Sequence, residues 1–162
     1  MGKFRFRLVA SLLAVTLIVL TGLGLIIGQL FKEFYFESIT ERIKKEAELA
    51  GYSVLEVGLD DKELAQTLAL RISESLEARV TIILEDGTVI GETAVDPARM
   101  DNHLNRPEIQ YVISGETQYE IRYSDTVKQE LLYYAVPIVD NGERIGFLRL
   151  GIPFQELNEM NK

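Results

Sequence analysis

The sequence has no cysteine, so neither a disulfide framework nor thiolate chemistry is open to it, and the redox compartment goes unmarked. Internal repeats and low-complexity tracts are absent, and its prolines and glycines are scattered where they read as turns rather than linkers. There is one histidine, His103, and no spacing matches a zinc signature or an EF-hand. Glu92, Asp96, Asp101 and His103 come nearest to an acid/base or metal group, but no nucleophile stands beside a base. The sequence therefore points to no catalysis, no cofactor and no metal. Positive charge is scarce as well. Of seventeen basic residues three lie in the first seven positions, leaving fourteen against twenty-five acidic ones, a formal charge of −11. A surface so acidic repels nucleic acid and anionic lipid, and nucleic-acid binding is set aside.

What is present is organised around one stretch. Leu8 to Leu30 carries no formal charge and is dominated by Leu, Ile and Val. A helix of that length reaches about 35 Å, slightly more than the hydrocarbon core of a bilayer. The run ends Gly28-Gln29-Leu30-Phe31, without the small-residue site of a cleaved signal peptide, so an uncleaved anchor in the lipid bilayer is expected. Lys3, Arg5 and Arg7 precede it, and Phe31, Phe34, Tyr35 and Phe36 follow, which orients the N-terminus to the cytoplasm. The expected organisation is a cytoplasmic start over 1–7, a span over 8–30 and a juxtamembrane helix over 31–58. One extracytoplasmic domain follows over 59–153, and 154–162 begins an exit helix toward a second span that these residues do not include.

Gly24 and Gly28 form a G-x-x-x-G, a spacing that lets helix backbones approach closely. From Phe36 an apolar stripe continues through Ile39, Ile43, Ala47 and Ala50 to Val54 and Val57, in steps of three and four among charged residues. One continuous helix can thus leave the membrane and pair with a second copy, giving a homodimer; packing of the stripe on its own domain is the alternative. Asp60-Asp61-Lys62-Glu63 then opens a second helix, with Leu64, Leu68, Ile72 and Leu76 expected inward together with Ala65 and Ala69. Residues 80–84 and 89–93 read as a hairpin around Asp86-Gly87. Pro107-Glu108 begins a short helix capped by Asn105 or Arg106, with Ile109, Val112 and Ile113 inward and Gly115 ending it. Three more strands follow, the last two joined by Asp140-Asn141-Gly142. The fold class is α+β: an antiparallel sheet of about five strands with helices on one face.

The most polar stretch runs from Asp101 to Glu108. His103, Arg106 and Arg122 are donors suited to an anion, with Tyr111, Tyr123, Tyr133 and Tyr134 as walls, and this makes them the candidate ligand site. The alternative is a brace, in which Arg106 and Arg122 pair with Glu108, Asp101 or Asp125 and His103 bonds backbone.

Four pieces carry a resemblance: His103-Leu104-Asn105-Arg106-Pro107-Glu108, Ile121-Arg122-Tyr123-Ser124, Leu132-Tyr133-Tyr134-Ala135-Val136-Pro137 and Gly146-Phe147-Leu148-Arg149-Leu150. In this order, after a basic start and a span, they resemble the N-terminal sensor region of PhoR/PnpS-type bacterial sensor histidine kinases. The resemblance implies a single Cache-like, PAS-like domain outside the bacterial cell membrane, serving phosphate-regulon two-component signalling. It implies an extracytoplasmic ligand or partner protein, and a response regulator reached only through a kinase portion. These 162 residues hold no such portion: His103 is not set in a phosphoacceptor helix, and no Gly-rich nucleotide loop occurs. A membrane-anchored dimerisation domain that modulates a full-length receptor is the alternative function.

Overall fold

The computed structural model describes residues 2–154, so the exit helix expected over 154–162 lies, apart from Phe154, outside the described residues. The chain divides into two compact units, Met1–Ile39 and Thr40–Lys162.

The first unit is helical and belongs to α1 (Gly2–Val57). It contains the one helical stretch among the described residues that is long and apolar enough to cross a membrane, and none of its most apolar window is buried. The three hydroxyls of its apolar run are satisfied within the helix. Ser11 Oγ donates to the Leu8 carbonyl at 2.9 Å, Thr16 Oγ1 to Leu12 at 2.9 Å and Thr21 Oγ1 to Leu17 at 2.8 Å, which removes the cost of placing them in hydrocarbon. Nothing lies within 4 Å of where a Cβ would stand on Gly24 or Gly28.

The second unit begins in the latter part of α1. Gly58, at φ +86°, ends that helix, its N–H donating to the Val54 carbonyl at 3.0 Å. Helix α2 (Lys62–Leu76) follows, capped by Asp61, whose Oδ1 accepts from the N–H groups of Glu63 and Leu64. Five strands come next: β1 (Arg79–Leu84), β2 (Val89–Glu92), β3 (Tyr119–Ser124), β4 (Gln129–Asp140) and β5 (Glu143–Pro153). A 3-10 turn at Pro97–Arg99 and helix α3 (Pro107–Ile113) lie between β2 and β3. All pairings are antiparallel, in the order β2-β1-β5-β4-β3. The expected α+β architecture with a five-strand antiparallel sheet is what forms.

Two expectations about faces are corrected. In-register partners share a face of a sheet, so Ile82, Gly91, Leu148 and Val136 lie on one side, and Thr81, Ile83, Phe147, Arg149 and Ala135 on the other. On the first side a Cβ on Gly91 would meet Ala65 and Ala69 of α2, and one on Gly51 of α1 would meet Val136. On the second, Ile109 of α3 packs with Ile83, Val89, Ala135 and Phe147. The helices therefore cover both faces, because a two-sided apolar sheet cannot leave one face in water. Single side chains depart too: of the inward set on α2, Ala65, Ala69 and Ile72 are buried and Leu68 and Leu76 half-buried, but Leu64 is exposed, and on α3 Ile113 is exposed. The glycine in β2 lets α2 approach closely at Ala65 and Ala69.

Candidate functional site

The side of the sheet under α3 is apolar at one end and ionic at the other. Strand alternation brings Arg79 and Thr81 of β1, Glu92 of β2, Arg149 of β5, Tyr133 of β4 and Arg122 and Ser124 of β3 to this face. The segment between β2 and α3 closes over them. It is seated on the first hairpin: the His103 N–H donates to the Gly87 carbonyl at 2.9 Å, and Asn102 Nδ2 to the Asp86 carbonyl at 2.7 Å.

Glu92 is held completely. Its Oε1 accepts from Arg79 Nε at 2.8 Å and from the Thr93 and Ala94 N–H groups, and its Oε2 accepts from Thr81 Oγ1 at 2.8 Å. Burial pushes this carboxyl up, but the Arg79 hydrogen bond and charge outweigh it and hold the pKa below the usual carboxylate range. Glu108 is held by halves. Its Oε1 accepts from Arg149 Nη1 at 2.9 Å and Arg122 Nη2 at 3.0 Å, whereas Oε2 is buried without a partner among the described residues. Burial again pushes up, and the charge of Arg149 with the bond and charge of Arg122 hold the pKa down. Both guanidiniums lie over the Tyr133 ring, Arg122 at 4.3 Å and Arg149 at 4.7 Å from its centroid. Arg79 Nη1 donates to Ser124 Oγ and to the Tyr133 hydroxyl. Three guanidiniums thus face two carboxylates, an excess of one positive charge, with the Arg79 and Arg149 side chains buried and that of Arg122 half-buried.

His103 is 1% exposed, and its ring bonds the Asp101 carbonyl through Nδ1 at 2.8 Å, which requires the Nδ1–H tautomer. Burial, then the charge of Arg149, pushes the imidazole down to about 4, so it is neutral. Among the described residues no three His, Asp or Glu side chains converge as a metal site needs.

Of the residues singled out from sequence, Arg122 and Tyr133 meet in this cluster and His103 is buried in its cover. Arg106 caps α3 through its backbone alone, and the half-buried Tyr111 donates to Glu120 Oε2 at 3.3 Å. Tyr134 lies on the other side of the sheet from Tyr133. Along α1, Ile43, Ala47 and Ala50 are 1%, 0% and 7% exposed, and Phe36 and Ile39 are half-buried. The stripe from Ile43 onward is thus used inside its own domain. Arg79 and Arg149 join the cluster without having been singled out from sequence, and Glu92 enters it as an ion-pair partner rather than as an acid/base or metal group. Arg149 carried the legible signal, a lone charge in the apolar strand Phe147-Leu148-Arg149-Leu150. Glu108, named in the brace alternative as a partner for Arg122, is fully buried and makes that pair, and His103 bonds backbone as the same alternative has it.

Comparisons agree with this architecture. The ligand-binding domain of the Campylobacter jejuni chemoreceptor Tlp3, solved with L-valine, superposes with a TM-score of 0.66 at 16% identity, over 77% of this chain and 56% of that one. The sensor domain of the Vibrio cholerae histidine kinase DctB gives 0.61 at 17% identity, over 84% and 58%. The ligand-binding domain of the Pseudomonas aeruginosa amino-acid chemoreceptor PctC, solved with GABA, gives 0.61 at 12% identity, over 75% and 60%. The chain thus spans little more than half the length of these structures, and at such identities the likeness is one of fold. Among curated proteins the sequence finds no match. A family described as Single Cache-like matches residues 33–153, most of the sequence and all five strands. The chain belongs to the single Cache-like family.

Proposed function

We propose that this chain is the extracytoplasmic sensing portion of a membrane-anchored bacterial receptor, of the phosphate-regulon sensor-kinase type, and that it takes a small anionic or zwitterionic ligand. The observation that carries the reading is the covered ionic cluster: three arginines against two glutamates, with Glu108 Oε2 buried and unpartnered. An ordinary structural network balances its charges and satisfies its atoms. This one carries three guanidiniums on two carboxylates and leaves Arg122 Nε and Glu108 Oε2 without hydrogen-bond partners among the described residues, a donor and an acceptor for a ligand. Fold neighbours solved with L-valine and GABA, both zwitterions, support that class. Seating a ligand there requires α3 to lift with Glu108, and differential affinity for the lifted arrangement is what would bias the receptor.

In the same reading the N-terminus faces the cytoplasm, α1 spans the bilayer, and two copies pair along it near Gly24, Gly28, Phe36 and Ile39. A response regulator is reached only through a kinase portion outside these 162 residues. The test is thermal stability of the full chain in detergent micelles, screened against inorganic phosphate, amino acids and small carboxylates. A ligand-dependent rise lost in Arg122→Ala supports the reading. No rise with any compound overturns it in favour of a partner-binding domain whose polar cluster is a brace.

A further inference from the structure

Strand β3 pairs with β4 only from Gln129 to Tyr134, so the stretch from Ala135 to Val139 has no strand on that side. Beside this free edge lies a cavity of about 380 Å3, walled by α1 on one side and by the turn between α3 and β3 on the other. All of it is inside the second unit. A peptide strand is a poor occupant, because Pro137 sits on the edge and has no N–H to give to a neighbour.

The chemistry of the walls is uneven. Tyr52, Val136 and Pro137 supply apolar surface. Glu48 and Glu116 bring two carboxylates, no lysine, arginine or histidine lines the cavity, and neither glutamate forms an ion pair among the described residues. A further, independent observation points to a ligand. Tyr134 is 4% exposed, lines the cavity, and its hydroxyl is buried with no hydrogen-bond partner among the described residues. Burial, then the charges of Glu48 and Glu41, pushes this phenol up, so it stays protonated and able both to donate and to accept. A buried hydroxyl left so costs stability unless something meets it.

We infer that this cavity is a second binding site, distinct from the ionic face of the sheet, for a small organic cation with an apolar body. Its ammonium would face Glu48 and the Tyr134 hydroxyl, and its apolar part would lie against Tyr52 and Pro137. Such a ligand would touch α1 and the end of α3 together, joining the two elements that flank the sheet.

The test is an amide NMR titration of the full chain in detergent micelles with phenethylamine as the probe, and with 3-phenylpropionate as its anionic counterpart. Saturable shifts at Gly51, Gly115 and Thr117 are expected with the amine alone, with affinity falling about fivefold in Glu48→Gln and again in Tyr134→Phe. Both variants are conservative changes at groups that no protein atom hydrogen-bonds, so they leave the fold intact. The inference is overturned if phenethylamine gives no saturable shift up to about 10 mM. It is equally overturned if the anion binds as well as the amine, or if Glu48→Gln binds the amine unchanged.

Discussion

Lowering the pH from 7.5 to 5 should destabilise the domain chiefly through His103. The imidazole has an ordinary pKa of 6.5, and the folded protein pushes it down to about 4. Burial comes first, the charges of Arg149 and Arg106 add to it, and the Asp101 carbonyl and Glu92 only partly offset them. Since the folded pKa is the lower, the unfolded chain binds the proton first. The stabilising contribution is complete above pH 6.5 and is lost as the pH falls toward 4. Between those two values the loss at pH 5 comes to about 2 kcal/mol. For a domain of this size that is a fall of about 8 °C in the unfolding midpoint. Glu92 and Glu108 also have depressed pKa values, so their contributions are kept above the ordinary carboxylate range and vanish only at lower pH. The window from 6.5 to 5 therefore isolates the histidine. Near-UV circular dichroism of the full chain in micelles, melted at a series of pH values, reads the effect. His103→Gln keeps a donor for the Asp101 carbonyl and should flatten the slope in that window. A wild-type midpoint that is level from pH 7 to 5, or an equal slope in the variant, would refute the reasoning.

Two further outcomes follow from the same contacts. Arg149→Met should lower stability by about 3–5 kcal/mol, read from urea midpoints, because Glu108 keeps only Arg122 and stays buried; adding Glu108→Gln should return part of the loss. Gly87→Ala should cost about 2–3 kcal/mol in the same assay, because Gly87 has φ +86° and a Cβ would come within 2.7 Å of the Leu104 backbone nitrogen.

The ionic face was only partly legible in the sequence, and the reason lies in where charges come from. Arg122 and Tyr133 stood out because they fall beside recognisable strand and aromatic patterns. Their partners are scattered over four other elements: Arg79 and Thr81 on β1, Glu92 on β2, Glu108 on α3 and Arg149 on β5. Arg79 and Glu92 alone look like ordinary surface charges and Glu108 like a helix-start acid, and only Arg149, a lone charge in an apolar strand, stands out. The stripe on α1 shows the same limit, since periodicity says that Ile43, Ala47 and Ala50 share a face but not what covers it.

By itself the sequence determined the elements and their ends. Local chemistry suffices for that: an uncharged run longer than a bilayer, an aspartate cap at Asp61, a left-handed glycine at Gly58 and hairpin turns at Asp86-Gly87 and Asn141-Gly142. Tertiary structure alone decided which faces meet. It set α3 on the face opposite α1 and α2, brought the alanines of α2 against Gly91, and gathered three arginines and two glutamates on one face of the sheet. The physical reason is that burial and charge pairing are properties of residues far apart in the chain, which strand register brings within a few ångströms and no local pattern encodes.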